Sequence, residues 1–380
     1  MIDRPRIVRA ANDLLHAEDG RRYIDLFTAH GTAWLGHARA ELAERIASQL
    51  AEVWITGGLE TPAFHRARLA IESFFAPAHG LVALYSTGME AVEFALRIAR
   101  GATGRAGAVG FANSMHGKSL ATSRLGWDND DGVRLPDVHR LPFLQSAGED
   151  EILERLHDTL GGASVGAVCV EPLQGCGGGR MASPAFYRQV ESLCREHGAL
   201  LVFDELLTGF HRTGPAFRYL ELGVQPDVVV IGKALGNGFP VSAVVADRSI
   251  AITSAMLPGS TFAGNALACA AVSATLDLLR TLDVPARVRR IEEVVANALA
   301  PVADAGIAVR GKGAAWFVEC ATDGAAERAV VRCYSRGVCI GFAGRQIRLL
   351  PAATIEIGHL AAAAGIVAEA VVEAHRRAAG

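Results

Sequence analysis

The stretch Pro226–Pro240, "PDVVVIGKALGNGFP", decides the fold. Four consecutive apolar β-formers, Val228 to Ile231, run into Gly232 and then a lysine. An apolar run without polar alternation reads as a strand covered on both faces, the kind found in parallel sheets. The lysine at its end needs a chemical reason. Of 37 lysines and arginines only three are lysines, at 118, 233 and 312, so this chain uses arginine for surface charge. An amine at a buried strand end has its charged form disfavoured by desolvation. A neutral amine is a nucleophile and condenses with aldehydes. Taken alone, such a lysine is more often a side chain reaching out to solvent.

Working outward, "LLVFDE" (200–205) ends the preceding apolar run in Asp204. A buried carboxylate needs a cationic or hydrogen-bonding partner. A pyridinium N–H supplies one, and the carboxylate keeps that ring protonated. Alone, an Asp-Glu pair is more often a cap or loop feature; one strand-loop-strand unit before Lys233 it is more specific. Further upstream, "YSTGMEAVEFALRIAR" (85–100) reads as strand, small-residue turn and helix. Backbone N–H groups of Thr87, Gly88 and Met89 at that helix start form an anion cradle, though most such turns are ordinary caps.

The remaining chain repeats the pattern. "VGAVCVEPLQGCGGG" and "AGAVGFANSMHG" are strands breaking into loops; "MEAVEFALRIARGATG", "SPAFYRQVESLCREHG" and "NALACAAVSATLDLLRTL" are helices. Alternation of this kind predicts a mostly parallel α/β sheet, with ligands at the carboxyl ends of its strands. Those ends carry Ser86–Met89, Asn113–Gly117, Glu171, Asp204 and Lys233. From about 285 onward the reading gives strands in "AAWFVEC" and "QIRLLPA" and a helix over 357–378.

At 380 residues the chain suggests a large α/β domain and a smaller one. With 51% hydrophobic and 20% charged residues it reads as globular. A net charge of −3 gives no electrostatic case for nucleic acid or anionic membrane. The N-terminus "MIDRPRIVRAANDLL" has no signal-peptide pattern, and no run of about 18 uninterrupted apolar residues occurs, so the expectation is a cytoplasmic protein. Seven cysteines without a CxxC pair argue against disulfides and a zinc site, and no metal is expected. "HGKS" (116–119) has the tail of a P-loop, but its first glycine would be Ala112.

Three segments together, "VFDELLTGFHRTG", "DVVVIGKALGNGFPVSAVV" and "GSTFAGNALACAA", resemble the class III aminotransferases, fold type I enzymes that use pyridoxal 5′-phosphate (PLP). The resemblance covers nearly the whole chain. It implies a large domain (41–275) with a mostly parallel seven-stranded sheet, a small α+β domain (276–380), and an N-terminal segment (1–40) joining the latter. It implies that Lys233 is the Schiff-base lysine and proton shuttle, and that Asp204 pairs with the pyridine nitrogen. Thr87, Gly88 and Met89 fall in the phosphate loop, Leu206 packs on one ring face, and Glu171 belongs to the adjoining carboxylate network. Thr261 reaches the phosphate bound by a neighbouring subunit, making a homodimer with shared sites. Arg348 of "IRLLP" grips a substrate carboxylate. The partners implied are an amino donor and a carbonyl acceptor.

The chain departs from that pattern at several positions. Met115 stands where the family has an aromatic that stacks on the cofactor, Leu207 where it has a glutamine, and Pro258 where it has a histidine. Cys176 replaces the glutamate with which ornithine-type members mask the arginine, which argues against a plain ω-amino-acid enzyme. Trp34 and Tyr85 are pocket candidates, with Trp34 equally readable as core. An aminomutase or epimerase on the same scaffold would keep the amino group in one molecule. A silent binding relative would lack the cofactor absorbance band.

Overall fold

The computed structural model describes residues 5–127, 135, 137–162 and 164–379. The chain divides into two compact units: Arg45–Phe210 with Pro215–Asp277, and Met1–Glu44 with His211–Gly214 and Leu278–Gly380.

The larger unit is built on a seven-stranded sheet. In spatial order its strands are His79–Tyr85, Ser242–Asp247, Val228–Ile231, Leu200–Asp204, Val165–Val170, Gly107–Phe111 and Val138–Leu141. Only Ser242–Asp247 runs antiparallel to its neighbours; the adjacent pairs from Val228–Ile231 outward are parallel. The unbroken apolar reading of "VVVI" and "VGAVCV" is explained by burial, since every residue in both strands is inaccessible. Asp204 pairs with Val230, so the Asp204 strand and the strand leading to Lys233 end side by side. Parallel direction brings Tyr85, Phe111, Val170, Asp204 and Ile231 to one edge of the sheet, the ligand edge of such folds.

The helix Gly88–Thr103 leaves that edge and covers the sheet with Ala91, Val92, Ala95, Leu96, Ile98 and Ala99. Thr87 caps its start by accepting the Glu90 N–H at 3.1 Å, and Glu90 reaches back to the Ser86 N–H at 3.0 Å. This reciprocal box fixes the entry angle of the chain. The helix ends at Gly104, whose φ of 68° is left-handed.

The smaller unit holds two four-stranded sheets. One joins Ile7–Ala11, Leu14–Ala17, Arg22–Asp25 and Val338–Cys339; the other joins Ala308–Lys312, Ala315–Glu319, Gln346–Leu349 and Gly341–Ala343. Helices Val284–Asp304 and Asp323–Ser335 both pack against Ile357–Ala379. The first of these lies where the sequence pattern gives no helix. Its two prolines explain why: one sits in the first turn, where a missing N–H costs nothing, and Pro301 falls inside the last turns. The stretch Ile357–Arg377 is long and apolar enough to cross a membrane by length and composition. Its Leu360, Ala363, Ala364, Val367, Ala370 and Val371 are instead buried in the core of this unit.

Arg212 pins the smaller unit from inside. Its guanidinium lies 3.8 Å from the centre of the Trp34 ring and donates to the carbonyls of Pro351 (2.8 Å) and Gly31 (2.7 Å). Burial pushes its pKa down to about 9, so the group stays cationic at neutral pH, satisfied by carbonyl dipoles and the π face. Trp34 is wholly inaccessible and packs in the core of this unit. Tyr85 is likewise 3% exposed and stacks on Phe94 at 4.2 Å. No disulfide joins the seven cysteines, and six of them are buried.

Candidate active site

Residues expected at the strand ends converge within the larger unit. Asp204, 3% exposed, bonds His116 Nδ1 through Oδ2 at 2.7 Å and accepts the Leu206 N–H through Oδ1 at 3.1 Å. His116 is fully enclosed and also lies 3.6 Å from Cys169 Sγ. Burial alone would push the imidazole's pKa down; Cys169 and the bond to Asp204 outweigh it and hold the pKa well above the ordinary value. His116 and Asp204 thus form a buried hydrogen-bonded pair. The Nε2 of His116 has no hydrogen-bond partner among the described residues.

Glu171 stands one strand over. It accepts the Met115 N–H, and the Gly175 N–H at 2.8 Å, so it ties the His116 loop to the loop after Val170. Burial pushes its carboxyl pKa up, His116 opposes that, and Asp204 adds to it.

Leu206 is the side chain on which three of these segments close. A Cβ on Gly88 would stand 2.7 Å from Leu206 Cδ1, and one on Gly232 would stand 2.6 Å from Leu206 Cδ2. A side chain at either position would have to push the end of Leu206 aside, so the helix start, the Asp204 loop and the Lys233 turn meet at this leucine. Gly117 makes a similar approach to Met89, whose Cγ would lie 2.8 Å from a Cβ there. Lys233 opens the turn Lys233–Gly236 with φ of 44°, a left-handed conformation that costs a side-chain-bearing residue about 1–2 kcal/mol. Strain of this kind concentrates at functional sites.

At the helix start, Glu90 N–H is held by Thr87 Oγ1 and Ala91 N–H by the Thr87 carbonyl. The N–H groups of Gly88 and Met89 belong to the first turn and have no intrahelical acceptor. Ser242 Oγ fixes the Thr87 carbonyl at 2.7 Å, and Ser260 Oγ holds Glu90 at 2.7 Å. Thr261 follows on an exposed segment, beside Phe262 at 62% exposure. A cavity of about 760 Å³ lined by Arg97, Arg100, Asp137 and Met256 contains none of these residues.

This donor set suits PLP: two open amides for a phosphate, a buried carboxylate for a ring nitrogen, a branched apolar contact, and an amine. The match to the aminotransferase class-III family runs over residues 4–371. The chain belongs to the class III aminotransferases. Acetylornithine aminotransferase of Bacillus subtilis is 32% identical over 96% of this chain and 94% of that one. Succinylornithine transaminase of Citrobacter koseri is 34% identical over 72% and 68%. A solved amine transaminase from an uncultivated Pseudomonas species, in its PLP-bound form, superposes with a TM-score of 0.89 at 26% identity, covering 99% and 95% of the two chains. The protein is thus a PLP-dependent transaminase of fold type I, and the expected fold and cofactor hold.

Within this class III enzyme, His116 is the site member that sequence reasoning misses. Its signal is the His-Gly that follows Met115, which reads in the sequence as the tail of a P-loop. Arg348 sits in Gln346–Leu349 of the smaller unit, 7% exposed. Leu207 is 9% exposed and packs on Gly175, whose Cβ would lie 2.7 Å from Leu207 Cδ2.

Glu205 follows Asp204 yet behaves differently. It is buried, accepts Thr208 Oγ1 and the Tyr219 N–H at 2.9 Å, and burial pushes its pKa from 4.5 to about 7. The folded state therefore keeps a proton that the unfolded state releases above about pH 4.5. Stability contributed below that pH is lost as pH rises towards about 7, by about 3 kcal/mol. Glu205→Gln should flatten that slope. Denaturant unfolding of parent and variant at pH 4.5 and pH 8 measures it, and equal slopes would remove Glu205 from the account.

Proposed function

We propose that Lys233 and Asp204 are the catalytic residues of this transaminase and that Arg348 selects donors carrying a carboxylate. The observation carrying the proposal is the meeting of Gly88, Gly232 and Leu206 beside the Asp204–His116 pair, one residue from Lys233. Gly88 and Met89 amides, with the Thr87 turn behind them, would hold the cofactor phosphate. Asp204 would face the ring nitrogen, Leu206 and Met115 the ring, and Glu171 would hold the Met115 loop in place. When bound, PLP supplies an electron sink for the pair left on a substrate carbon that loses its proton. Lys233 Nζ would take that proton as a general base and give it back as a general acid. An amino donor leaves as its oxo product before the carbonyl acceptor enters, in a ping-pong sequence.

Arg348 offers a planar two-pronged donor to a substrate carboxylate. The two curated relatives are named for acetylornithine and succinylornithine, so N-acylated ornithines belong in the donor panel beside simple 2-amino acids. Cys176 removes the glutamate expected to mask an arginine, and this favours donors whose carboxylate uses Arg348 in both half-reactions. Arg348→Lys should raise KM for carboxylate donors by about 10- to 100-fold, with less change in kcat. Amines lacking a carboxylate should be unaffected; an equal loss for both donor types would refute the assignment.

The same reading makes the protein a cytoplasmic homodimer in which Thr261 completes the partner's phosphate site. Phe262, Trp54 (58%) and Leu59 (75%) are exposed apolar side chains on the larger unit, as an interface requires. Light scattering should give twice the chain mass, and a fully active monomer would contradict it.

A further inference from the structure

Two helices of the larger unit, Glu149–Gly162 and Pro184–His197, pack side by side. His157 on the first meets His197, the last residue of the second, with ring centres 5.2 Å apart and ring planes at 68°. His157 Nδ1 and His197 Nε2 are separated by 3.4 Å. Glu196 offers a third ligand, and the three ligand atoms lie within 4.8 Å of one another. These residues take no part in the site described above.

We propose that His157, Glu196 and His197 form a surface site for a zinc-class divalent transition metal. The nitrogen separation is the deciding observation. At 3.4 Å the two nitrogens make only a long hydrogen bond, the weak end of the range. Two nitrogens held about 2.0–2.1 Å from a tetrahedral zinc stand about 3.3–3.4 Å apart. The rings already occupy one edge of such a tetrahedron. Glu196 is exposed, so its carboxylate has the freedom to rotate onto the third corner, and water takes the fourth.

The donor set fixes the class of ion. Imidazoles with one carboxylate suit Zn²⁺, Ni²⁺, Co²⁺ and Cu²⁺, whereas Mg²⁺ and Ca²⁺ want mostly oxygen. The site lies at a helix C-terminus, where backbone carbonyls favour a cation. Arg105 already exploits that end by donating to the His197 carbonyl. The sequence has no CxxC pair, which speaks against a thiolate zinc site, and histidine with glutamate is a different donor set. His157 and Glu196 are open to solvent and His197 is half-buried, so the site encloses no substrate. Its action is to clamp the end of one helix to the side of the other, not to turn over a substrate.

The test uses the PLP-loaded enzyme, stripped of metal by chelation and titrated with ZnCl₂ by calorimetry. We expect one zinc per chain and a higher Tm with zinc. His157→Ala and His197→Ala should each weaken binding by at least about tenfold, the scale set by losing even an outer partner of a metal ligand. The double variant should lose the site and its Tm response, while its metal-free Tm matches the parent's and shows that the fold is intact. Co²⁺ should give the intense visible bands of tetrahedral coordination in the parent alone. No zinc uptake by the parent, or uptake unchanged in the double variant, overturns the proposal.

Discussion

Lys233→Ala is expected to lower transaminase turnover by at least about 10⁴-fold. The figure follows from the role proposed for its Nζ, which both takes and returns the substrate proton; no neighbouring base is positioned by the same turn. The residue's own conformation supports the reading. A lysine with φ of 44° is held in a left-handed geometry that alanine would share and glycine would relieve. Lys233→Gly should therefore be as inactive as Lys233→Ala yet no less stable. A purely structural lysine would lose stability in both. The chain's lysine count makes a second readout unusually clean. Borohydride reduction of the PLP-loaded parent, followed by peptide mass analysis, can place a pyridoxyl group on a lysine only at Lys118, Lys233 or Lys312. We expect it on Lys233. Its recovery on either other lysine, or parental turnover in the alanine variant, would sink the assignment.

Lys233 and Asp204 are legible in the sequence because they violate the composition around them: charged groups ending runs that otherwise read as fully buried strands. The parallel sheet is legible for the same reason, since "VVVI" and "VGAVCV" lack the alternation of half-exposed strands. His116 is not, because its significance lies in a bond to Asp204, 88 residues away, and no local pattern records that. Glu90 is hidden differently. A glutamate three residues after a threonine reads as helix capping, which it is, while its second oxygen also holds Ser260 from a distant loop. The helix Val284–Asp304 is masked by its prolines, and Trp34 can be assigned to core only once Arg212 is seen stacked on it.

Asp204→Asn is expected to lower kcat by about 10³-fold, at the upper end of what a single electrostatic partner contributes in a buried site. Asparagine keeps the shape and can still accept from His116 or from the Leu206 N–H, so the loop should hold. What disappears is the negative charge facing the ring nitrogen. His116 loses its counter-charge at the same time, and burial then pushes its pKa down unopposed by Asp204. Both changes raise the cost of breaking the substrate Cα–H bond without touching the amides of Gly88 and Met89. Cofactor retention, measured by equilibrium dialysis, should therefore fall much less than kcat. The kinetic isotope effect with a Cα-deuterated donor should rise, because proton removal becomes the slower step. His116→Asn serves as the control for position: Asp204 keeps its charge but loses the 2.7 Å bond that orients it, so a smaller loss in kcat is expected. If Asp204→Asn turned over at the parental rate, or if the isotope effect fell, the carboxylate would be a loop anchor for the Leu206 turn and the charge-based mechanism would be wrong.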